Sequence, residues 1–507
     1  MQRCSPLPRY SRSFQLKGRT SGWDLTGYLI PISVKRGNGD LEQYKKNDRI
    51  EAEIESFGNE GEGIAHVDGF PFFIKDALPG DRVEAVVMKV KKSHGFARLL
   101  SVIEASKDRI EPLCPVAKSC GGCTLQHTSY GAELRFKEDK VYNCLLRIGG
   151  ISASSLDMAS EGIVGMDEPL HYRNKAQYPI GRDKDGKAVA GFYAGRTHNI
   201  IPQEDCALSP PEFRVILRTV LDFIDENKVP VYDEVSGKGL IRHVLIRKGF
   251  KTREIMTCIV STSQEIPGME DLSERLMALR GMKSVCLNIN PDKTNVILGQ
   301  RCVSLRGPMY IEDILCGLRF RISPLSFYQV NPVMAEKLYK TALDYAGIGE
   351  DQSVREVWDI CCGIGTISLA AASRSGECFV HGVEIVPEAV EDAKKNAELN
   401  GIGNAAFHAA AAEEYLPAFF AENPGAKADV VILDPPRKGM DIKALETVTA
   451  LSPKRIVYVS CDPATLARDL KILSAAGYEL KKYRVFDQFS RGFHVETIVL
   501  LQGRDTL

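Results

Sequence analysis

The chain has 507 residues, a formal net charge of −1, and 44% apolar and 26% charged residues. We expect two to four domains from this length, and the composition is typical of a globular protein. No segment has the run of about 18 apolar residues that a membrane-spanning helix needs, so no membrane partner is expected. A net charge near zero does not exclude nucleic acid, because cations can be concentrated on one face.

Residues 1–45 form a basic extension with no acidic residue before Asp24. We expect it to be disordered, because basic and Ser-, Gly- and Pro-rich segments bury little apolar surface. An Arg- and Ser-rich targeting peptide or a misassigned start explains the same composition. Its cations are Arg3, Arg9, Arg12, Lys17 and Arg19.

Residues 46–106 are predicted to fold as short strands separated by turns. Segments 49–55 and 82–90 alternate apolar and polar residues, and 70–74 is largely apolar. Several short strands in about 60 residues indicate a small OB-like β-barrel. Residues 89–98 place cations around Phe96, which suits a nucleic-acid backbone, although a solvated edge strand with protective lysines is equally compatible.

Residues 107–320 are predicted to form a mixed α+β central domain. A helix is expected from Tyr130 to Arg147, with Leu134, Val141 and Leu145 on its apolar face beside Tyr130 and Ile148. The segment 171–178 interleaves Arg173 and Lys175 with tyrosines. It could bind phosphates and stack on unpaired bases, or it could be a strand with surface cations.

The 14 cysteines are spread over the whole chain, which disfavours an extracellular disulfide scaffold and favours a reducing cytoplasm. Cys114, Cys120 and Cys123 are close in sequence, and Cys206 lies far downstream. Four thiolates can bind zinc or an iron–sulfur cluster, and the spacing does not choose between them. Chance proximity of three cysteines is the alternative.

Residues 321–507 alternate predicted strands and helices, which indicates an α/β fold with a doubly wound, Rossmann-like parallel sheet. Strands are predicted at 354–360, 378–384, 429–434 and 455–460, helices at 388–400 and 464–476, and a final strand at 496–501.

A glycine-rich turn follows the first of these strands, at Asp359–Thr366, and Glu384 ends the next strand. Such a turn lets a ligand approach the backbone, and the acid could hold ribose hydroxyls. Ser368 replaces the third glycine of a dinucleotide fingerprint, so NAD is disfavoured. A structural turn with a surface acid is the alternative.

Two further segments end strands at the edge where doubly wound sheets bind ligands. Asp434 precedes two prolines that stiffen its turn. Cys461 precedes Asp462 and Pro463, which are typical first residues of a helix, and we expect the helix dipole to favour its thiolate. Glu496 reaches the same edge if the last strand is antiparallel, and could act as a general base.

These groups fit methylation of carbon 5 of uracil. A thiolate that adds to carbon 6 makes carbon 5 nucleophilic towards the methyl group of a sulfonium, and a base then removes the carbon 5 proton so that the thiolate can leave. Cys461 and Glu496 are the candidates for nucleophile and base.

The catalytic segments resemble those of bacterial RNA uracil-5-methyltransferases, and the chain from about residue 46 resembles the 23S ribosomal RNA branch. The resemblance implies Cys461 as nucleophile, Glu496 as proton acceptor and an N-terminal TRAM domain. It implies contacts to S-adenosyl-L-methionine from Gln329, Cys361, Gly363, Thr366, Glu384 and Asp434. It implies a [4Fe–4S] cluster on Cys114, Cys120, Cys123 and Cys206. Cys361, Thr366 and Ala411 depart from the usual family residues.

The expected partner is a structured 23S RNA loop with its uridine flipped out of the stack, bound by a monomeric enzyme. Two other functions remain open. One is uracil-5 methylation of transfer RNA, whose enzymes generally lack both the barrel and the cluster cysteines. The other is a non-catalytic iron–sulfur RNA-binding protein.

Overall fold

The computed structural model describes residues 44–503, so the prediction for the basic extension lies almost wholly outside the described residues. The chain divides between Glu104 and Ala105 into two compact units. Within 44–503, no helix has the length and apolar character needed to cross a membrane.

The first unit is a curled antiparallel sheet with one parallel pair, in the order β1-β5-β6-β4-β3-β2. Its strands are β1 (Arg49–Glu53), β2 (Ser56–Phe57), β3 (Gly63–Val67), β4 (Phe70–Lys75), β5 (Arg82–Val90) and β6 (Gly95–Glu104). Because β1 runs directly into β2 at the opposite edge, the sheet closes on itself. The Glu55 amide donates to the Ile64 carbonyl (2.9 Å) at this closure. The predicted small barrel is confirmed.

The second unit begins with helices and a seven-stranded sheet in the order β10-β9-β8-β11-β12-β13-β14. The elements are α1 (Tyr130–Arg147), α2 (Ala153–Ala159), β7 (Ser160–Val164), β8 (Lys175–Arg182), β9 (Ala188–Tyr193), β10 (Ile200–Pro202), α3 (Glu212–Glu226), β11 (Ile241–Lys248), β12 (Ile255–Ser261), α4 (Met269–Met277), β13 (Met282–Ile289) and β14 (Arg301–Arg306). The apolar faces of α3 and α4 pack on one side of this sheet.

Of the remaining elements, β15 and β16 form a separate two-stranded antiparallel sheet, and the other strands join β7 in an eight-stranded sheet in the order β19-β18-β17-β20-β21-β23-β22-β7. The remaining elements are β15 (Ile311–Leu315), β16 (Leu318–Ile322), α5 (Pro332–Ala346), β17 (Glu356–Ile360), α6 (Thr366–Arg374), β18 (Phe379–Glu384), α7 (Pro387–Leu399), β19 (Ala405–Ala409), α8 (Ala412–Glu422), β20 (Val430–Leu433), α9 (Ile442–Ala450), β21 (Arg455–Ser460), α10 (Pro463–Ala475), β22 (Tyr478–Phe486) and β23 (Glu496–Gly503).

Helices cover both faces of the eight-stranded sheet, which is the predicted doubly wound arrangement. The five strands from β19 to β21 are parallel, so their carboxyl ends meet at one edge. β23 is antiparallel to β21, with Thr497 opposite Ser460. The start of β23 therefore lies at the edge where β21 ends, as expected.

Candidate active site

One large cavity of about 1210 Å³ opens at the carboxyl edge of the parallel strands. It brings together every residue that the sequence predicted for catalysis or cofactor binding. These residues are Gln329, Cys361, Gly363, Thr366, Glu384, Asp434, Cys461 and Glu496. They come from the loop before α5 and from the ends or starts of five strands of one sheet.

The turn after β17 exposes its backbone to the cavity. Cys361 has a left-handed φ of 67°, an uncommon conformation for a residue other than glycine, and Gly363 has φ 55°. A side chain added at Gly363 would meet nothing within 4 Å, so this face of the turn is open to a ligand. Glu384 supports the turn, because its two carboxylate oxygens accept from the amides of Gly363 (3.1 Å) and Val386 (3.0 Å).

Asp434 follows β20, and its amide donates to the carbonyl of Ile360 (3.2 Å). Burial, followed by the negative charge of Asp359, raises the pKa of the Asp434 carboxyl to about 7. Asp359 itself is fully buried and accepts a hydrogen bond from Ser368. A half-buried carboxyl at Asp434 and a fully buried one at Asp359 beneath one cavity favour a cationic ligand there.

Cys461 lies between the end of β21 and the start of α10. The predicted cap is confirmed, because Asp462 accepts from the amides of Ala464 (2.9 Å) and Thr465 (3.0 Å). The expected thiolate stabilisation is wrong for the free protein. Burial, then the carboxyls of Glu496 and Asp434, raises the pKa of the Cys461 thiol to about 12. The Asp462 carboxylate already occupies the helix amides that would have favoured the thiolate.

Glu496 is the first residue of β23 and is only 5% exposed. Burial raises the pKa of its carboxyl well above the ordinary value, the charge of Asp434 adds to this, and Arg437 opposes it. Its electrostatic effect on Cys461 shows that the two side chains lie close together. A thiol beside a carboxyl of high proton affinity is a suitable pair for covalent and acid–base chemistry.

Sequence reasoning missed three residues that line the same cavity: Arg437, Phe489 and His494. Arg437 Nη2 lies 3.4 Å from His494 Nε2. Burial, followed by the charge of Arg437, lowers the pKa of His494 to about 4, so its imidazole is neutral. The signals that could have identified them are the position of Arg437 directly after the two prolines that follow Asp434, and the phenylalanines and histidine of residues 489–494 shortly before Glu496.

The structure corrects two interpretations of the cationic segments. Tyr172 and Tyr178 are buried (5% and 0% exposed), so they cannot stack on RNA bases. Arg173 and Lys175 remain half-buried, and Lys175 has no ion pair within residues 44–503. In the first unit, β5 and β6 are inner strands rather than an edge, so Lys89 and Lys91 do not protect a free edge.

The four predicted ligand cysteines also come together in the second unit, and none forms a disulfide. Cys120 interacts electrostatically with Cys114 and Cys206, and Cys123 with Cys120 and Cys206. In the described part of the chain, no three His, Cys, Asp or Glu side chains surround a point closely enough to hold a single metal ion. A four-iron cluster needs a wider arrangement than one zinc ion, because each thiolate binds a different iron.

Hydrogen-bond donors point at three of these sulfurs. They come from the Gly122 amide to Cys120 (3.3 Å), from Gln126 to Cys123 (3.5 Å) and from Gln203 to Cys114 (3.5 Å). Donors of this kind stabilise thiolates and tune iron–sulfur clusters. The groups in this site are of the types that an iron–sulfur cluster uses, while burial raises the pKa of the Cys120 and Cys123 thiols.

Comparison with known proteins identifies the family. Residues 292–504 match the family described as tRNA (Uracil-5-)-methyltransferase, and residues 43–100 match the TRAM domain. An uncharacterized RNA methyltransferase of Halalkalibacterium halodurans is 45% identical over 458 residues, which cover 90% of this chain and 97% of that protein. A similar protein of Clostridium acetobutylicum is 45% identical over 462 residues, covering 91% and 98%.

Among solved structures, the chain is similar to Pyrococcus abyssi tRNA (uracil-54, C5)-methyltransferase in complex with S-adenosyl-L-homocysteine. The TM-score is 0.71 at 26% identity, and the match covers 89% of this chain and 100% of that one. The chain therefore belongs to the S-adenosylmethionine-dependent RNA uracil-5-methyltransferase family and combines an α/β methyltransferase fold with an N-terminal TRAM domain.

Proposed function

We propose that this enzyme methylates carbon 5 of a specific uridine in 23S ribosomal RNA, with Cys461 as the nucleophile and Glu496 as the general base. The observation that carries the proposal is that Cys461, Glu496, Asp434 and Gln329 line one cavity. The two ends of this cavity offer different chemistry. One end has the backbone turn at Gly363 and the carboxylate of Glu384, and the other has the Cys461 thiol beside the Glu496 carboxyl.

In the proposed reaction, the Cys461 thiol loses its proton to solvent and the thiolate bonds to carbon 6 of uracil. The C5–C6 electron pair moves into an enolate, and carbon 5 of this enolate forms the new bond to the methyl group. S-Adenosylmethionine supplies an electrophilic methyl group on a sulfonium and is left as a neutral thioether. Glu496 removes the carbon 5 hydrogen as a proton, the C5–C6 double bond re-forms, and the thiolate is expelled. Because burial raises the pKa of Glu496, its carboxylate accepts this proton more readily than a solvated one would.

The residues at the other end of the cavity hold the cofactor in this proposal. Glu384 accepts hydrogen bonds from ribose hydroxyls, and Asp434 faces the cationic part of the molecule. Gln329, Cys361, Gly363 and Thr366 complete the binding surface. Cys114, Cys120, Cys123 and Cys206 bind a [4Fe–4S] cluster with a structural role.

RNA recognition is assigned to the barrel of residues 46–106 and to the central domain of residues 107–320, with catalysis in residues 321–507. In the barrel, Lys89, Lys91 and Lys92 are exposed, and Lys91 Nζ lies 5.3 Å from the centre of the Phe96 ring. These cations suit an RNA backbone. We further propose that the enzyme acts as a monomer in the cytoplasm.

Transfer RNA is the second candidate substrate. The archaeal structure that matches 89% of this chain is named a transfer RNA enzyme, and the matching family carries the same substrate in its description. Because the match to that transfer RNA enzyme covers 89% of this chain, the barrel does not discriminate between the two substrates, and the ribosomal alternative rests on the resemblance of the sequence to the 23S branch.

The test uses anaerobically purified protein, methyl-labelled S-adenosylmethionine, and separate 23S and transfer RNA transcripts. Label in 5-methyluridine of 23S RNA is the expected result, and mapping it identifies the uridine. Label only in transfer RNA would keep the mechanism and replace the substrate. No label in either RNA, from protein that retains its iron, would favour a non-catalytic RNA-binding protein.

A further inference from the structure

A fully buried ionic cluster lies on the face of α1 that points away from solvent. The Lys137 ammonium donates to the carboxylates of Glu133 (2.7 Å) and Asp487 (2.6 Å), and all three side chains are 0% exposed. The Tyr130 hydroxyl donates to the second oxygen of Asp487 (2.8 Å). Burying such charges is costly unless they pair well, so the cluster needs a reason beyond filling the core.

Asp487 begins the segment 487–494, which together with Val495 connects β22 to β23 and contributes Phe489 and His494 to the wall of the catalytic cavity. The same segment reaches the cofactor loop, because Gln488 Nε2 donates to the side-chain oxygen of Gln329 (3.3 Å). The segment therefore contacts residues at both ends of the cavity.

Four consecutive carbonyls of the segment accept hydrogen bonds from other parts of the unit. Gln488 accepts from Asn331 (3.3 Å) and Ser490 from the Tyr172 hydroxyl (3.2 Å). Arg491 accepts from two backbone amides at residues 124 and 125 (2.9 and 3.1 Å). The Phe489 carbonyl accepts from Lys137 Nζ (2.9 Å), which is the charged donor among the five.

The segment is also joined to the cysteine site. The amides that bond to Arg491 follow Cys123 directly in the chain, and Arg491 Nη1 donates to the carbonyl of Thr128 (3.0 Å). The Arg491 amide in turn donates to Glu133 (2.7 Å), within the ionic cluster. The backbone next to a predicted cluster ligand and the wall of the catalytic cavity thus share one set of hydrogen bonds.

We propose that Lys137 is a positioning residue for methyl transfer: it holds segment 487–494 so that Phe489 and His494 complete the catalytic cavity beside Cys461. The proposal rests on the proposed function of that cavity. Apolar groups often replace a buried ion pair without loss of stability, whereas the Phe489 carbonyl requires a donor at one fixed point.

The experiment compares Lys137→Met with Arg135→Met. Both remove a cation from the same helix, but Arg135 is 58% exposed and pairs with Asp108 at the surface. A second variant, Lys137→Met with Asp487→Asn, removes one charge of each sign and so limits the folding penalty, while the Phe489 carbonyl still lacks its donor. Thermal unfolding and iron content verify each protein before use.

Three quantities are measured: the single-turnover methylation rate, the affinity for S-adenosylhomocysteine, and amide hydrogen exchange at residues 487–495, which are segment 487–494 and Val495. Lys137→Met is expected to slow methylation about 30-fold, since a displaced wall misaligns the reacting groups. Exchange in the segment is expected to rise about tenfold, while the cofactor affinity changes by no more than about twofold. The double variant is expected to recover thermal stability and to keep the slow rate.

Arg135→Met is expected to match the wild type in all three quantities, because an exposed ion pair contributes little. The proposal is overturned if the double variant recovers the rate together with stability, if exchange in the segment is unchanged, or if both Lys137 variants fail to fold. Wild-type protein that does not methylate uridine would overturn the proposed function instead, and hydrogen exchange would still report whether Lys137 holds the segment.

Discussion

Two regions of the second unit bring cysteines together with polar groups, and the polar groups beside the sulfur differ between the two regions. In the catalytic cavity, burial raises the pKa of Cys461, and the carboxyls of Glu496 and Asp434 raise it further. In the four-cysteine site, N–H donors from Gln126 and Gly122 point at the sulfurs. Burial raises the pKa of the cysteines in both regions, so the difference lies in the neighbours: carboxyls oppose a thiolate at Cys461, whereas N–H donors can stabilise one at Cys120 and Cys123. Substitutions in the two regions should therefore fail in different ways.

The largest effect is expected from Cys461→Ala. Without the sulfur there is no bond to carbon 6, so methylation should fall at least about 1000-fold while RNA affinity stays near that of the wild type. Measurement of label incorporation and of RNA binding separates the two properties. Turnover retained by this variant would exclude the covalent mechanism.

Glu496→Gln should slow the reaction at a later stage. The amide cannot accept the carbon 5 proton, so the Cys461 thiolate cannot leave, and turnover should fall about 100-fold. A protein–RNA adduct should accumulate and appear as a slow-migrating species on a denaturing gel. The double variant with Cys461→Ala is the control and should give no such species. If turnover falls without any adduct, Glu496 acts before methyl transfer rather than after it.

In the four-cysteine site, Cys123→Ala should act on structure rather than on chemistry. Loss of one ligand is expected to lower the iron content and to loosen the hydrogen bonds between residues 124–128 and Arg491. Methylation should then fall about tenfold, with faster hydrogen exchange at residues 487–495. Cys302→Ser, at a half-buried cysteine outside both regions, is the matched control. Full methylation activity of iron-free protein would contradict this prediction, because it would show that the catalytic cavity does not depend on the four-cysteine site.

The sequence predicted the parts of the fold that depend on local pattern. The strand predicted at 455–460 is β21, and the helix predicted from Tyr130 to Arg147 is α1 with the same bounds. β19 was missed because its small residues have little strand character, and β7 was missed because its partner lies more than 300 residues away. Pairing between strands that are distant in sequence produces no periodic pattern in the sequence of either strand, so it cannot be predicted from that pattern.

In the candidate site, too, local patterns were predictable from the sequence and contacts between distant segments were not. Motif residues at strand ends could be placed at one edge, because the topology of a doubly wound sheet requires it. The helix pattern placed Ile148 on the apolar face of α1, yet it is 39% exposed, whereas Glu133 and Lys137 are buried. Their partner Asp487 is 350 residues from Lys137. The raised pKa of Cys461 likewise depends on carboxyls that three different strands bring together.

A modest effect, on the affinity for the cofactor, is expected from the protonation of Asp434 at the cofactor end of the cavity. The pKa of Asp434 is raised to about 7, so its carboxylate is the main form above pH 7 and is lost as the pH falls. If a cationic cofactor requires the carboxylate, the affinity for S-adenosylmethionine should weaken about tenfold between pH 8 and pH 6. Asp434→Asn should bind more weakly at pH 8 and lose this dependence, as measured by calorimetry. A pH dependence that persists in Asp434→Asn would assign the titration to Asp359, whose pKa burial also raises to about 7.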